Sequence, residues 1–273
     1  MSLSRWLLPA LIVGVVIVSV VAAYIWIQGQ SEGGASQTET IQTRIQTTEG
    51  LKDMRTELEG VRKILWIGPH ADDEVYVAGL LRFARLEGKD CTIVAYKADN
   101  RRKKLNQMSA ELLGCKYIYM SQYPGKNVEE EIRSILAAES PDLVLTFHPE
   151  TGFRMNKAHA KVGRLVTEVI STGNYNIKLF YVLNKDPTLE ELLGGADRAK
   201  PTHYLDLQLP AGNGSLFEVK IADICIYSDA IPAAKAICKN VDGMRTKMLK
   251  YELYMEYGSN ESVKLVSNEG SSP

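Results

Sequence analysis

The sequence predicts an α/β fold, a three-layer sandwich around a mainly parallel, Rossmann-like sheet, preceded by a single transmembrane helix. Three observations lead there. From residue 63 onward, short apolar runs alternate with longer stretches of helical apolar spacing, the pattern of βαβ units. The first run ends in a turn, Pro69-His70-Ala71-Asp72-Asp73-Glu74, that packs a histidine and three carboxylates into five residues. Residues 6–27 carry no charge.

In chain order, the uncharged run comes first. At ~1.5 Å per residue it extends about 33 Å, enough for a bilayer core of about 30 Å. Trp6 lies at one end, Tyr24 and Trp26 at the other, as in an aromatic belt. A cleaved signal peptide is the alternative, but its apolar region spans only about 7–15 residues and follows a basic start. Arg5 is the only early cation. Residues 1–27 are therefore expected to be an uncleaved anchor. Arg5 and the α-amine favour an N-terminus inside and a domain outside the cytoplasm; Arg44, Lys52 and Arg55 pull the other way. Residues 28–60, rich in Gln, Thr, Ser, Gly and Glu, read as a polar stalk. Its second half has partial helical spacing at Ile41, Ile45, Leu51, Met54 and Leu58.

Residues 61–257 read as the α/β domain. Strands are expected at 63–67, 92–96, 117–120, 143–147 and 178–182, with helices at 74–87, 103–113, 128–138 and 159–171 between them. Such an order gives parallel strands joined by right-handed crossovers. Farther on, 202–209 reads as a strand, and 217–227 and 231–254 as helical, with Pro232 a point of interruption. Residues 258–273 form a polar tail.

The length of 273 residues suits one large domain with a small appendage. A net charge of −1 gives no ground for nucleic-acid binding. The four cysteines, Cys91, Cys115, Cys225 and Cys238, include no Cys-x-x-Cys pair and are expected to be buried free thiols.

Chemistry concentrates at the acidic turn. The carboxyl end of a strand is where α/β sheets bind ligands. His70 and Asp73, three residues apart, can converge on one metal ion, while Asp72 points elsewhere and stays free to act as a base. After the strand at 143–147, a polar loop leads to His159 at the start of a helix. A His-Asp-His set with an open position for water suits metal-assisted hydrolysis. The plainer alternative is a solvated turn whose acids favour a helix N-terminus.

These segments resemble the LmbE-like, or PIG-L-like, family of zinc-dependent N-deacetylases. The family's first motif is Pro/Ala-His-Pro-Asp-Asp-Glu, and Ala71 is the only change here. The second, His-Pro-Asp-His, survives only in the last residue of Asn156-Lys157-Ala158-His159. The resemblance covers roughly residues 61–227 and includes Ala110 to Gly114 and Ser228. It implies Zn2+, or another divalent metal, on His70, Asp73 and His159, with Asp72 as general base. It also implies an N-acetylglucosamine-type sugar or glycoconjugate as substrate. Glu74 is expected to orient His70 or to cap the helix.

The family's carbonyl-polarising histidine is replaced by Asn156. An amide there can donate to an oxyanion, or His148, at the end of the fourth strand, can take over. Arg101 and Arg102 open a cationic run with Lys103 and Lys104 at a helix N-terminus, where cations oppose the dipole. That placement points to an anionic substrate group or lipid head group, against the usual reading of a solvated face. His203 reads as structural, and Asn213-Gly214-Ser215 and Asn260-Glu261-Ser262 match the glycosylation pattern. Two alternatives stay open: a catalytically impaired protein that binds a carbohydrate or head group, and a hydrolase of another amide or ester.

Overall fold

The computed structural model describes residues 48–97, 100–120, 127–152, 157–186 and 199–258. The expected anchor at 6–27 and the tail from 259 lie outside the described residues. Among the described residues, no helix is long and apolar enough to cross a membrane.

The chain enters through β1 (Lys52–Asp53) and the short helix α1 (Met54–Glu57). Then follow β2 (Lys63–His70), a 3-10 turn (Asp73–Tyr76), α2 (Ala78–Leu86), β3 (Asp90–Lys97), α3 (Asn100–Leu113) and β4 (Lys116–Tyr119). Next come α4 (Val128–Glu139), β5 (Leu143–Phe147), α5 (Lys157–Thr172) and β6 (Lys178–Leu183). The last part holds β7 (His203–Asp206), β8 (Pro210–Ala211), β9 (Gly214–Ser215), α6 (Leu216–Ile226), α7 (Pro232–Lys239), α8 (Val241–Lys247) and β10 (Tyr251–Glu256).

The main sheet runs β1-β7-β10-β6-β5-β2-β3-β4. β4, β3, β2, β5 and β6 are mutually parallel. The chain runs from β2 outward to β4, then crosses back to place β5 on the other side of β2. That reversal creates a crevice at the carboxyl ends of β2 and β5. The two strands are nearly buried throughout, which explains their unbroken apolar runs. Ile64 and Trp66 face the layer of α2, α3, α6 and α7, whereas Leu65 and Ile67 face that of α4 and α5.

Three expectations are corrected. The sheet is mainly parallel, as expected, but β10 pairs antiparallel with both β6 and β7. Residues 251–256 are therefore strand and not the end of a long helix. Tyr251, Leu253 and Met255 fill one core layer and Tyr254 the other, so burial follows a period of two. The expected helix at 74–87 is interrupted at Val77, which separates the 3-10 turn from α2. Finally, Cys225 and Cys238 form a disulfide between α6 and α7, while Cys91 and Cys115 are free.

The start of the domain is woven into the sheet edge. Lys52 pairs with His203, and Met54 and Leu58 are buried. His203 is fully buried, its Nε2 lies 3.4 Å from Glu57, and its ring packs edge-on against Phe180. Those contacts fit a structural residue.

Candidate metal centre

His70 is the last residue of β2, and Asp73 opens the 3-10 turn that follows. The turn folds back so that Asp73 Oδ2 accepts the backbone N–H of His70 at 2.8 Å. This bond aims the carboxylate back at the strand end. His159 arrives from the other side of the crevice, in the first turn of α5.

Gly163, one turn later, sets how closely α5 approaches β5. A Cβ there would lie 2.2 Å from the Phe147 carbonyl oxygen. Only a glycine lets the start of this helix lie directly against the strand end. The His159 ring then stacks on Phe147, with centroids 4.1 Å apart and planes 9° from parallel. Trp66 and Tyr76 meet Phe147 edge-on.

Three donor groups thus meet. His70 Nδ1 lies 3.2 Å from Asp73 Oδ2 and 3.2 Å from His159 Nε2. His159 Nε2 lies 3.1 Å from Asp73 Oδ1. Donors about 2.0–2.1 Å from a shared tetrahedral centre stand about 3.3 Å from one another. The carboxylate meets His70 through Oδ2 and His159 through Oδ1, and one atom from each of the three groups lies within 4.8 Å of the others, close enough to share an ion; two imidazoles with one carboxylate are a donor set suited to zinc. Asp73 and His159 are buried, and His70 is partly open. Burial opposes charge on Asp73, but His159 and His70 together outweigh it and hold this carboxyl well below the usual range.

Asp72 stands outside the triangle. Its Oδ1 is buried without a hydrogen bond, and Arg102 Nη1 is 3.8 Å away. Burial first and the charge of Asp73 second push its carboxyl up to about 6, with Arg102 pulling the other way.

The remaining candidates are placed as follows. Glu74 does not bond to His70. It is fully buried and accepts a hydrogen bond from the Tyr227 hydroxyl, so the structure replaces the expected orienting or capping role with a core contact. Arg101 donates to the Asp229 carbonyl oxygen at 2.8 Å, and Lys103 sits 3.6 Å over the Tyr119 ring. With Arg102 beside Asp72, three of the four cations of that run have partners within the chain. His148 is buried, with Nδ1 accepting the N–H groups of Glu150 and Thr151 at 3.2 Å each and its ring edge-on to Tyr181. Its Nε2 therefore carries the proton when the ring is neutral. It is not among the three converging groups. Asn156 lies outside the described residues.

Sequence reasoning missed the polar cluster beneath the turn. Tyr227 donates to Glu74 and accepts from Asn106 Nδ2 at 3.2 Å, and Asp223 is fully buried nearby. The signal was an acid in the apolar run Leu216–Ile226, a residue type seldom buried without a reason. Glu252 went unnoticed as well. From β10 it accepts the N–H groups of Gly79 and Leu80 and pairs with Lys220 at 2.8 Å, anchoring the start of α2 behind the acidic turn.

No protein-family model matches the chain, and no curated protein does. Solved structures do. The chain is similar to N,N'-diacetylchitobiose deacetylase from Pyrococcus horikoshii, complexed with its inhibitor MPG. The TM-score is 0.53 at 17% identity, covering 83% of this chain and 94% of that one. It is also similar to GalB, the 4-carboxy-2-hydroxymuconate hydratase of Pseudomonas putida KT2440. There the TM-score is 0.52 at 15% identity, covering 72% of this chain and 96% of that one. What is shared at such identities is the fold, and it is the one that the LmbE-like resemblance implies. One neighbour is named a deacetylase and the other a hydratase, so the choice of reaction rests on the site itself.

Proposed function

We propose that this chain is a metal-dependent hydrolase that removes the N-acetyl group from an N-acetylglucosamine-type sugar or its conjugate. The observation that carries this reading is the triangle of His70, Asp73 and His159 with the unbonded Asp72 oxygen beside it. A divalent cation held there supplies Lewis acidity, which lowers the pKa of water and polarises an amide carbonyl. Asp72, outside the three ligand groups, accepts the proton of the attacking water and passes it to the departing nitrogen. The amide C–N bond breaks as the new C–O bond completes, leaving acetate and a free amine. Asp73 holds its charge and, through the His70 backbone N–H, its orientation. His148 and Asn156 are the side chains assigned to donate to the carbonyl oxygen.

We further place the domain outside the cytoplasm, tethered through residues 6–27. The Cys225–Cys238 disulfide supports that placement, since such bonds persist in oxidising compartments. Full-length protein should resist carbonate extraction, and release into the wash would remove the anchor.

The deciding experiment joins metal analysis of the full chain to a fluorescamine screen for amines freed from N-acetyl sugars. One zinc per chain is expected, lost in His70→Ala and in His159→Ala together with amine release. Metal unchanged in both variants would overturn the site. Zinc retained with no amine released from any N-acetyl sugar would point to a binding protein.

A further inference from the structure

Buried oxygen atoms without partners collect beneath the acidic turn. Glu74 Oε2, Asn106 Oδ1, Ser109 Oγ, the Tyr117 hydroxyl and both carboxyl oxygens of Asp223 are buried and make no hydrogen bond. Glu74, Asn106, Ser109 and Asp223 are fully buried as residues. Glu74 comes from the 3-10 turn, Asn106 and Ser109 from α3, Tyr117 from β4 and Asp223 from α6. Tyr227, one helical turn after Asp223, ties the set together, because it donates to Glu74 and accepts from Asn106 Nδ2 at 3.2 Å. The Ser109 hydroxyl faces both carboxyl groups, and the charge of Asp223 acts on Glu74. Lys220 lies near Asp223, but its Nζ is held by Glu252 at 2.8 Å and by the Tyr76 carbonyl oxygen at 3.1 Å.

We propose that these oxygens form a second metal site, separate from the His-Asp-His centre, and that it takes Ca2+. Buried polar atoms are seldom left unpaired, and a bound ion is one of the partners that satisfies them. The donors select the ion. Carboxylates, an amide oxygen and hydroxyls offer oxygen alone, which suits a hard cation and not zinc. The two carboxylates, Glu74 and Asp223, balance the charge of one divalent ion, and a buried charge needs such a partner. Calcium takes about 6–8 oxygens in flexible geometry, whereas Mg2+ demands an octahedron and usually keeps several waters. Enclosed side chains from four separate elements match the first requirement and not the second. The ion fastens the acidic turn to α3 and α6, so its effect is on the stability of the fold. The inference stands apart from the hydrolase reading, because it uses none of His70, Asp72, Asp73 and His159.

The test uses the full-length, zinc-supplemented protein at mildly alkaline pH, because protons compete with a cation for carboxylate oxygens. Thermal unfolding is followed with CaCl2 and with a chelator selective for calcium, beside calorimetric titration with CaCl2. One Ca2+ per chain is expected. At ~100-fold excess over its Kd, Ca2+ should raise Tm by about 5–10 °C. Mg2+ at the same concentration should give less than about half of that shift. Asp223→Asn keeps the size of the side chain and removes its charge, and it should weaken Ca2+ binding about 10-fold or more. Ser109→Ala, which should also weaken binding, decides if Asp223→Asn does not fold by circular dichroism. His159→Ala should keep the whole Ca2+ response. No Tm shift and no calorimetric binding in the wild type overturns the proposal. So does an equal shift with Mg2+, or an undiminished response in the folded variants of Asp223 and Ser109. A response lost in His159→Ala overturns it as well, by assigning the ion to the His-Asp-His centre. Amine release from N-acetyl sugars is read separately, so the hydrolase reading can fail or stand whatever calcium does.

Discussion

The Phe147 ring lies flat against the His159 imidazole at 4.1 Å, so the last residue of a central strand fixes the plane of a proposed metal ligand. A ligand held in one orientation binds its ion without first losing rotational freedom. Phe147→Leu keeps an apolar side chain but removes the flat face. It should lower zinc affinity about 10-fold, within the range for groups that orient a ligand. Competition against a chromogenic chelator measures this, and unchanged affinity would mean that the stacking is packing only.

Gly163 makes the same site sensitive to a single methyl group. The added carbon of Gly163→Ala meets a backbone carbonyl, which cannot swing aside. The start of α5 must lift, and His159 moves with it. Thermal unfolding should show a loss of roughly 1–3 kcal/mol, and zinc content should fall. Retention of full zinc content would show that α5 can shift without carrying His159 away.

Asp72 is assigned to proton transfer and not to coordination. Asp72→Asn should therefore retain zinc while turnover drops by about 10²-fold or more. Loss of zinc in that variant would move Asp72 into the ligand set.

His148 and Asn156 are tested together. His148→Ala should lower kcat by about 10²–10³-fold with zinc still bound, the effect of losing one oxyanion donor. Asn156→His should leave turnover unchanged or raise it. A silent His148→Ala, paired with strong activation by Asn156→His, would make His148 only the acceptor that organises the Glu150–Thr151 turn.

Asp223 gives a pH signature separate from catalysis. Burial pushes its carboxyl up to about 7, with Ser109 and Lys220 acting in the opposite direction. In the unfolded chain it titrates at the ordinary aspartate value of about 3.8. Between those limits the native state binds the extra proton, so stability falls as pH rises through this window. Below it the group contributes nothing, and above it the whole penalty applies, on the order of 4 kcal/mol at most. Asp223→Asn should flatten the decline between pH 4 and pH 7 in denaturant titrations. An unchanged slope would assign the proton elsewhere in the cluster, with the buried Glu74 next to be tested.

Legibility in the sequence followed the range of the forces involved. The central strands were readable because burial on both faces demands unbroken apolar runs such as Leu143–Phe147. The acidic turn was readable because its groups are adjacent in the chain. Asp72 and Asp73 were assigned different roles from spacing alone, and the triangle that forms does leave Asp72 out. His159 was found because it opens a helix after a second strand. The role of Glu74 was misjudged because its partner, Tyr227, lies 153 residues away.

By itself, then, the sequence determined the parallel core of the fold, the turn that carries His70, Asp72 and Asp73, and the helix that delivers His159. All of these depend on local periodicity or on neighbours along the chain. Tertiary structure decided what local pattern could not express. Residues 251–256 have spacing compatible with a helix, yet two strand edges and two core layers were open to them, and pairing with β6 and β7 prevailed. Cys225 and Cys238 became partners because α6 and α7 form a hairpin that brings their Cα atoms within 5.6 Å. Gly163 acquired its meaning only when Phe147 came against it.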